Sequence, residues 1–394
     1  MCLEEAASID DLAILAKRRL PKFAFDFLDG GAGDEAGCRR NRASLQTILL
    51  KPHYGLGLDP QTETSLFGQT YRQPFGIAPV GLGNLAWPGA DLCLAQLAQA
   101  HGIPYVLSTV STTAIEMVTA AAAHTVWFQL YLLRQDEINR DLLRRAWAAG
   151  IRVLVLTIDI VASGTRRRDV RNRFTIPFRI GPKLLADLML HSGWSLNTLR
   201  AGRPSFANLT PYAKGSTQAL AEFITSQVRT DLNWEDVRRL RDLWQGTLVV
   251  KGVLTPEDAG AARQAGADGI WVSNHGGRQL DAAPASIDAL AAVRAACGPT
   301  LPVLLDSGIR SGEDIVRAGL RGADFVFSGR SFYYGMAAGG AAGGARAVTL
   351  LAEDLKRVLV QIGCPSFRDL DEKFLWSQPA SGKDDYTAFP VGCG

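Results

Sequence analysis

Histidine is scarce in this 394-residue chain, which has five. One of them, His275, stands in the stretch SNHGGRQLD (273–281), directly behind the apolar run GIWV. An imidazole at the tip of a buried strand can take a proton at neutral pH if a carboxylate holds its other nitrogen. Asp159, which ends the run RVLVLTID (152–159), is the best candidate for that carboxylate. Arg278, three residues past the histidine, and Arg166 in GTRRRD (164–169) carry forked donors that could clamp a substrate carboxylate on two sides. The remaining histidines, His53, His101, His124 and His191, fall in loops or helix ends and read as structural.

Other polar residues occupy equivalent points. Ser108, Gln129 with Tyr131, Thr157, Lys251, Ser273, Asp306 with Arg310, and Gly329 with Arg330 each close a short apolar run. One such residue alone would read as a cap or a surface group, but seven consecutive runs ending this way read as a site. Lys251 behind LVV has two possible roles: a Schiff-base nucleophile or a fixed cation beside an anionic group. DSGIR (306–310, with Gly308 inside it) and SGR (328–330) follow the last two runs. In barrels those two loops, with a helix N-terminus, often hold a phosphate. A phosphate-bearing cofactor is therefore expected there.

The elements that must position these residues follow from the alternation of segment types. Eight apolar runs (75–80, 104–108, 125–131, 152–159, 248–252, 269–274, 302–308 and 324–329) are separated by Ala- and Leu-rich helical stretches such as ADLCLAQLAQAHG and GEDIVRAGLRGA. Strands alternating with helices imply right-handed βαβ units and a parallel sheet. Eight units predict an α/β fold, a closed (β/α)8 TIM barrel, whose active site lies at the C-terminal strand ends. Residues 8–48 read as an N-terminal helical extension. The connection over about 160–247 is a long insertion after strand four, read as a lid helix or as a surface touching a membrane or partner. One domain is expected over 1–380, with a flexible tail at 381–394. The run GMAAGGAAGGARAV suits a helix start or loop.

Composition narrows the class. Hydrophobic residues make up 47% and charged residues 21%, enough for a large core and against global disorder. A net charge of +3 from dispersed residues gives no reason to expect nucleic acid. The six cysteines form no CxxC pair and no His/Cys cluster has zinc spacing, so no metal site is expected and the thiols read as reduced. The chain start has no apolar signal core and no run approaches about 20 apolar residues. A cytoplasmic setting is expected, with contact at the inner face of the cell membrane if the insertion binds there.

SNHGGRQLD, DSGIR, WFQLY (127–131) and LPKFAFDFLDGGAGDE (20–35), taken in order, resemble the FMN-dependent L-2-hydroxy-acid dehydrogenases and oxidases. The resemblance runs from about Ile9 to Leu370, and the insertion is most similar to the mandelate and lactate dehydrogenase branch. It implies FMN as cofactor and oxidation of a 2-hydroxy acid to a 2-oxo acid. It implies that His275 takes the substrate proton, Asp159 stabilises the charged imidazole, Arg278 and Arg166 bind the carboxylate, and Tyr131 contacts a substrate oxygen. Lys251 would stabilise the reduced flavin. Pro79, Val80, Gly81, Ser108, Gln129, Thr157 and Ser273 would contact the flavin, and Asp306, Gly308, Arg310, Gly329 and Arg330 its phosphate end. Such barrels often form homotetramers.

Two positions bear on the substrate and the acceptor. Phe27 stands where family members usually carry a tyrosine that helps bind the carboxylate, so this contact is missing. Gly81 stands where glycine accompanies dehydrogenases and alanine is common in oxidases. It points to an acceptor other than oxygen, with quinone natural at a membrane. The alternatives are an oxygen-using oxidase, an aldolase built on Lys251, and a barrel retained only as a binding scaffold.

Overall fold

The computed structural model describes residues 1–174, 181–202, 206–212 and 226–376. The tail at 381–394, Cys393 and three parts of the insertion lie outside the described residues.

Eight parallel strands close into one barrel: β1 (Phe75–Ile77), β2 (Tyr105–Ser108), β3 (Val126–Leu130), β4 (Val153–Thr157), β5 (Thr247–Val253), β6 (Gly269–Val272), β7 (Val303–Leu305) and β8 (Phe325–Ser328), with β8 pairing back on β1. Runs such as VLVLT and GIWV are buried at every position, as strands covered on both faces must be. The intervening helices start on local signals. Thr255 and Ser311 accept hydrogen bonds from the N–H groups of Asp258 and Asp314, and acidic first turns complement the helix dipole.

The lower barrel is filled by aromatics. Trp271 packs on Phe327 with ring centroids 4.1 Å apart, and Trp127 lies 5.4 Å from Phe327. A short antiparallel hairpin, Thr64–Leu66 with Gln69–Tyr71, brings Tyr71 within 5.5 Å of Phe325. Side chains thus fill the interior from below and leave room at the C-terminal strand ends.

Two elements differ from the sequence expectation. The glycine-rich run lies inside a helix, Arg330–Ile362, that kinks at Gly339 and Gly340. Glycine is required there because a Cβ on Gly343 would sit 1.9 Å from the Gly335 carbonyl oxygen. The long insertion is shorter than expected at its far end. Helix Trp234–Leu243, with a reciprocal capping box between Asn233 and Asp236, is the ordinary connection before β5. The insertion proper contains helices Pro182–Leu190 and Ser192–Ala201 and a segment at 206–212.

The two helices at 182–201 dock by one face. The Trp194 indole N–H donates to the Leu85 carbonyl at 2.9 Å, and its ring meets Phe23 edge-on at 5.6 Å. Their other face is apolar and open: Leu190 is 82% and Leu199 79% exposed. No helix among the described residues is long and apolar enough to cross a membrane.

Candidate active site

Chain geometry after β6 explains the glycines of SNHGGRQLD. His275, Gly276 and Gly277 have φ of 58°, 66° and 74°, three left-handed residues in succession. A Cβ on Gly277 would lie 2.6 Å from the Cys38 nitrogen, so only glycine lets helix Ala36–Thr47 approach this coil. The coil is pinned by Ser273 Oγ, which accepts from the His275 N–H at 3.0 Å, and by Ser307 Oγ, which accepts from the Gly276 N–H at 3.0 Å.

The imidazole is held at both nitrogens: Nδ1 lies 2.9 Å from Asp159 Oδ1 and Nε2 lies 3.4 Å from the Tyr131 hydroxyl. Asp159 reaches this position because β5 carries a bulge at Gly252, whose φ is 103° and whose absent Cβ would sit 2.7 Å from that of Asp159. Burial would raise the Asp159 carboxyl. The charge and hydrogen bond of His275, with Lys251 nearby, outweigh it and hold the group below the usual carboxylate range. Burial, helped by the charge of Asp159, drives the Tyr131 phenol far above its ordinary value, so it stays protonated.

Around this pair lies a cavity of about 280 Å³, whose polar lining includes His275, Tyr131, Arg166, Arg278, Arg330 and Lys251. Its apolar lining includes Phe27, Leu82, Val110 and Phe206. Burial, and then the charges of Arg166 and Arg330, push the Arg278 guanidinium well below its ordinary value. Arg278 donates to the carbonyls of Phe27 (2.8 Å) and Gly30 (2.7 Å), and no ion-pair partner within reach is found for it or for Arg166 among the described residues. Arg166 Nε is buried without a hydrogen-bond partner. Converging, part-buried cations whose nearby carboxylate, Asp169, acts on them from beyond salt-bridge distance make a seat for an anion.

The Lys251 ammonium donates to Ser273 Oγ at 2.7 Å and pairs with Asp306 Oδ2 at 3.0 Å. An amine so paired is a fixed cation, and the Schiff-base role, which needs a neutral amine, does not suit it. Asp306 thus lines the cavity beside Ser307 and Gly308 with its carboxylate paired to Lys251. Ser273 likewise has its hydroxyl engaged by Lys251 and the His275 backbone instead of facing the cavity.

The opposite end of the cavity carries Gly308, Arg310, Ser328, Gly329 and Arg330. Gly329 caps the N-terminus of the 33-residue helix Arg330–Ile362. Arg310 is buried against carbonyl and hydroxyl oxygens (Ile309 O at 3.0 Å, Ser331 Oγ at 3.4 Å) and over the Tyr334 ring, with no carboxylate on its guanidinium. A helix N-terminus beside an unpaired buried guanidinium fits a phosphate. Arg330 is shared: its nitrogens also donate to the carbonyls of Leu28, Gly276 and Gly30, tying the helix to the N-terminal extension. Along the cavity floor, Gln129 Nε2 and Thr157 Oγ1 are buried without partners, while Ser108 donates to Gln129 Oε1 at 2.9 Å and so orients that amide. Pro79, Val80 and Gly81 form the facing wall. These orphaned donors and acceptors fit a flat ring rich in hydrogen-bonding edges joined to a phosphate, as in FMN.

Three contributors escaped the sequence reading. Phe206 comes from the insertion, 40 residues past Arg166 and 45 before Lys251, the lining groups on either side of it in sequence, with no local signal. Ser307 was visible inside DSGIR, yet its role depends on meeting Gly276 in space. Asp91, fully buried, accepts from the hydroxyls of Tyr105 (3.0 Å) and Tyr333 (3.2 Å) and from Thr112 N–H (2.9 Å). It thereby ties the loop after β2 to the long helix.

Residues 16–377 match the FMN-dependent dehydrogenase family. The chain is 41% identical to (S)-mandelate dehydrogenase of Pseudomonas putida over 94% of each chain. It is 38% identical to an L-lactate dehydrogenase of Stenotrophomonas maltophilia, over 94% of this chain and 98% of that one. The fold superposes on the crystal structure of a monotopic membrane protein, (S)-mandelate dehydrogenase, with a TM-score of 0.91 at 40% identity, covering 95% of this chain and all of the other. With a barrel whose open end fits FMN and an acid, the chain belongs to the FMN-dependent dehydrogenases, oxidoreductases of 2-hydroxy acids.

Proposed function

We propose that this enzyme oxidises an L-2-hydroxy acid, mandelate- or lactate-like, to the 2-oxo acid, with His275 as the general base. The observation that carries the reading is the imidazole held between Asp159 at 2.9 Å and Tyr131 at 3.4 Å, beside three buried guanidiniums. An ionised Asp159 keeps the proton on Nδ1, which leaves the Nε2 lone pair to accept one from substrate. The same carboxylate then stabilises the imidazolium. Arg166 and Arg278 bind the substrate carboxylate, and Tyr131, kept protonated by burial, donates to a substrate oxygen.

FMN supplies, when bound, the acceptor for the two electrons that leave the substrate. Gln129, Thr157 and the Pro79–Gly81 wall would hold its ring, with Lys251 as the fixed cation beside it. Gly308, Arg310, Gly329 and Arg330 would hold its phosphate.

The electrons pass on to an acceptor other than oxygen, with a membrane quinone the best match. Gly81 supports this reading, since it stands where the resembling dehydrogenases carry glycine and the oxidases commonly alanine, and a Cβ there would lie 2.6 Å from Val110 Cγ2. The apolar outer face of the helices at 182–201 supports a peripheral seat on a membrane, as the mandelate dehydrogenase relative is named a monotopic membrane protein.

The test is an anaerobic titration of the purified yellow protein with 2-hydroxy acids. The flavin absorbance should bleach, and His275→Ala should abolish bleaching while FMN stays bound. A colourless protein that cannot be reconstituted with FMN, or full turnover in the His275 variant, would overturn the reading.

A further inference from the structure

The insertion returns to the barrel through residues 206–212, and this short segment is fastened more firmly than a surface loop needs. Asn208 is fully buried and acts in two directions. Its Oδ1 accepts from the Ile115 N–H at 2.9 Å, and its Nδ2 donates to Ser111 Oγ at 3.1 Å. Helix Ile115–Ala121 has no side-chain cap of its own from Ala114, so Asn208 supplies that cap from 93 residues away. The neighbouring Ala207 N–H donates to the Ser111 carbonyl at 3.1 Å. On the far side Arg145 donates to the Asn208 carbonyl (3.1 Å) and the Tyr212 hydroxyl (3.2 Å), and Tyr212 in turn donates to Asp141.

Phe206 is the residue this fastening presents to the cavity. Its carbonyl accepts from the N–H groups of Leu209 and Thr210, both at 2.9 Å, which fixes its backbone in a turn. Phe206 is 7% exposed and lines the same cavity as Leu82 and Val110, as well as the base and the arginines. When the base and the arginines grip a 2-hydroxy acid by its carboxylate and hydroxyl, these apolar lining groups are what is left to meet its third substituent.

We infer that Phe206 is the specificity-determining residue for that substituent, favouring a flat apolar one, and that Asn208 is the positioning residue that sets it. The inference rests on the proposed oxidation of a 2-hydroxy acid. Rigid aromatic walls select by contact area, so their loss should penalise an aryl substituent and spare a methyl group.

The experiment is anaerobic stopped-flow flavin reduction of the holoenzyme by (S)-mandelate and by L-lactate, for the wild type, Phe206→Ala, Phe206→Leu and Asn208→Ala. Phe206→Ala should raise the half-saturating mandelate concentration at least tenfold and change that of lactate less than twofold. Phe206→Leu should fall between, and Asn208→Ala should shift the same ratio in the same direction, at least threefold, with FMN content unchanged. Equal losses on both acids, or no loss on either, would overturn the inference. So would a wild type reduced by lactate and untouched by mandelate, although the proposed function would stand. A wild type that no 2-hydroxy acid reduces would remove the underlying function itself.

Discussion

Arg278 is held by Phe27, through both backbone and ring. Its Nη1 donates to the Phe27 carbonyl at 2.8 Å, and its guanidinium carbon lies 5.3 Å from the centroid of the Phe27 ring. The ring is itself stacked on Phe174, centroids 5.0 Å apart and planes 19° from parallel. A phenylalanine where the family pattern has tyrosine thus still serves the carboxylate site, by orienting a cation instead of donating a hydrogen bond.

The relationship gives a paired expectation. Phe27→Leu removes the ring face from Arg278 and the stack with Phe174. A cation–π contact is worth about 0.5–2 kcal/mol, so KM should rise by roughly two- to thirtyfold with little change in kcat. Phe27→Tyr keeps the ring and adds a donor near the carboxylate, and should lower KM by about tenfold. Steady-state kinetics on the two variants check both directions. A Phe27→Leu enzyme with wild-type KM would deny the ring any part in holding Arg278.

Asp159 sets a pH expectation whose sign follows from its depressed pKa. A carboxyl lowered in the folded state contributes stability that is present above its unfolded pKa of about 4 and lost only as pH falls through the lower folded value. Between pH 5 and 8 it therefore stays ionised. Asp159→Asn should lower kcat by about 10²–10⁴-fold, because the amide can neither fix the Nδ1 proton nor stabilise the imidazolium. The deficit should be of similar size across that whole window. A deficit that vanished toward pH 5 would mean that Asp159 titrates there.

The fold was legible because it rests on local pattern. Runs such as VLVLT and GIWV announce buried parallel strands, and the polar residues behind them mark which end of the barrel holds the candidate site. The division of labour among those residues was not legible. Asp306 reads as part of DSGIR, and only the folded chain shows its pairing with Lys251. Ser273 looked like a cavity residue until its hydroxyl was found between Lys251 and the His275 backbone. The apolar half stayed hidden for a different reason. Phe206 reaches the mouth through a connection whose length carries no register, and Asn208 caps a helix that lies two barrel strands and several helices earlier in the chain.

Arg310 sets ligand affinity against the stability of the empty protein. Its guanidinium is part-buried, that desolvation lowers its pKa, and no carboxylate lies within salt-bridge distance of it. Without a bound anion this is an uncompensated buried charge, which costs stability. Arg310→Met should therefore leave the apoprotein's melting temperature unchanged or raised. The same change should weaken FMN binding by about a hundredfold, as two charge-assisted hydrogen bonds are lost. Differential scanning fluorimetry of the apoprotein with a fluorescence titration of FMN measures both quantities. Unaltered FMN affinity would remove Arg310 from the phosphate seat.

The outer face of the helices at 182–201 can be tested apart from the chemistry. Leu190 and Leu199 are 82% and 79% exposed, while Trp194 on the inner face is buried and bonded to Leu85. Burying two leucines in a lipid interface is worth roughly 3–6 kcal/mol, and a carboxylate there is repelled by anionic headgroups. Leu190→Glu with Leu199→Glu should abolish co-sedimentation with anionic phospholipid vesicles. Turnover with a water-soluble electron acceptor should stay within about twofold of the wild type, because neither residue touches the cavity. Turnover with a quinone embedded in the vesicles should fall together with vesicle binding. A double variant that still sediments with the vesicles would show that this face is not the one that meets the membrane.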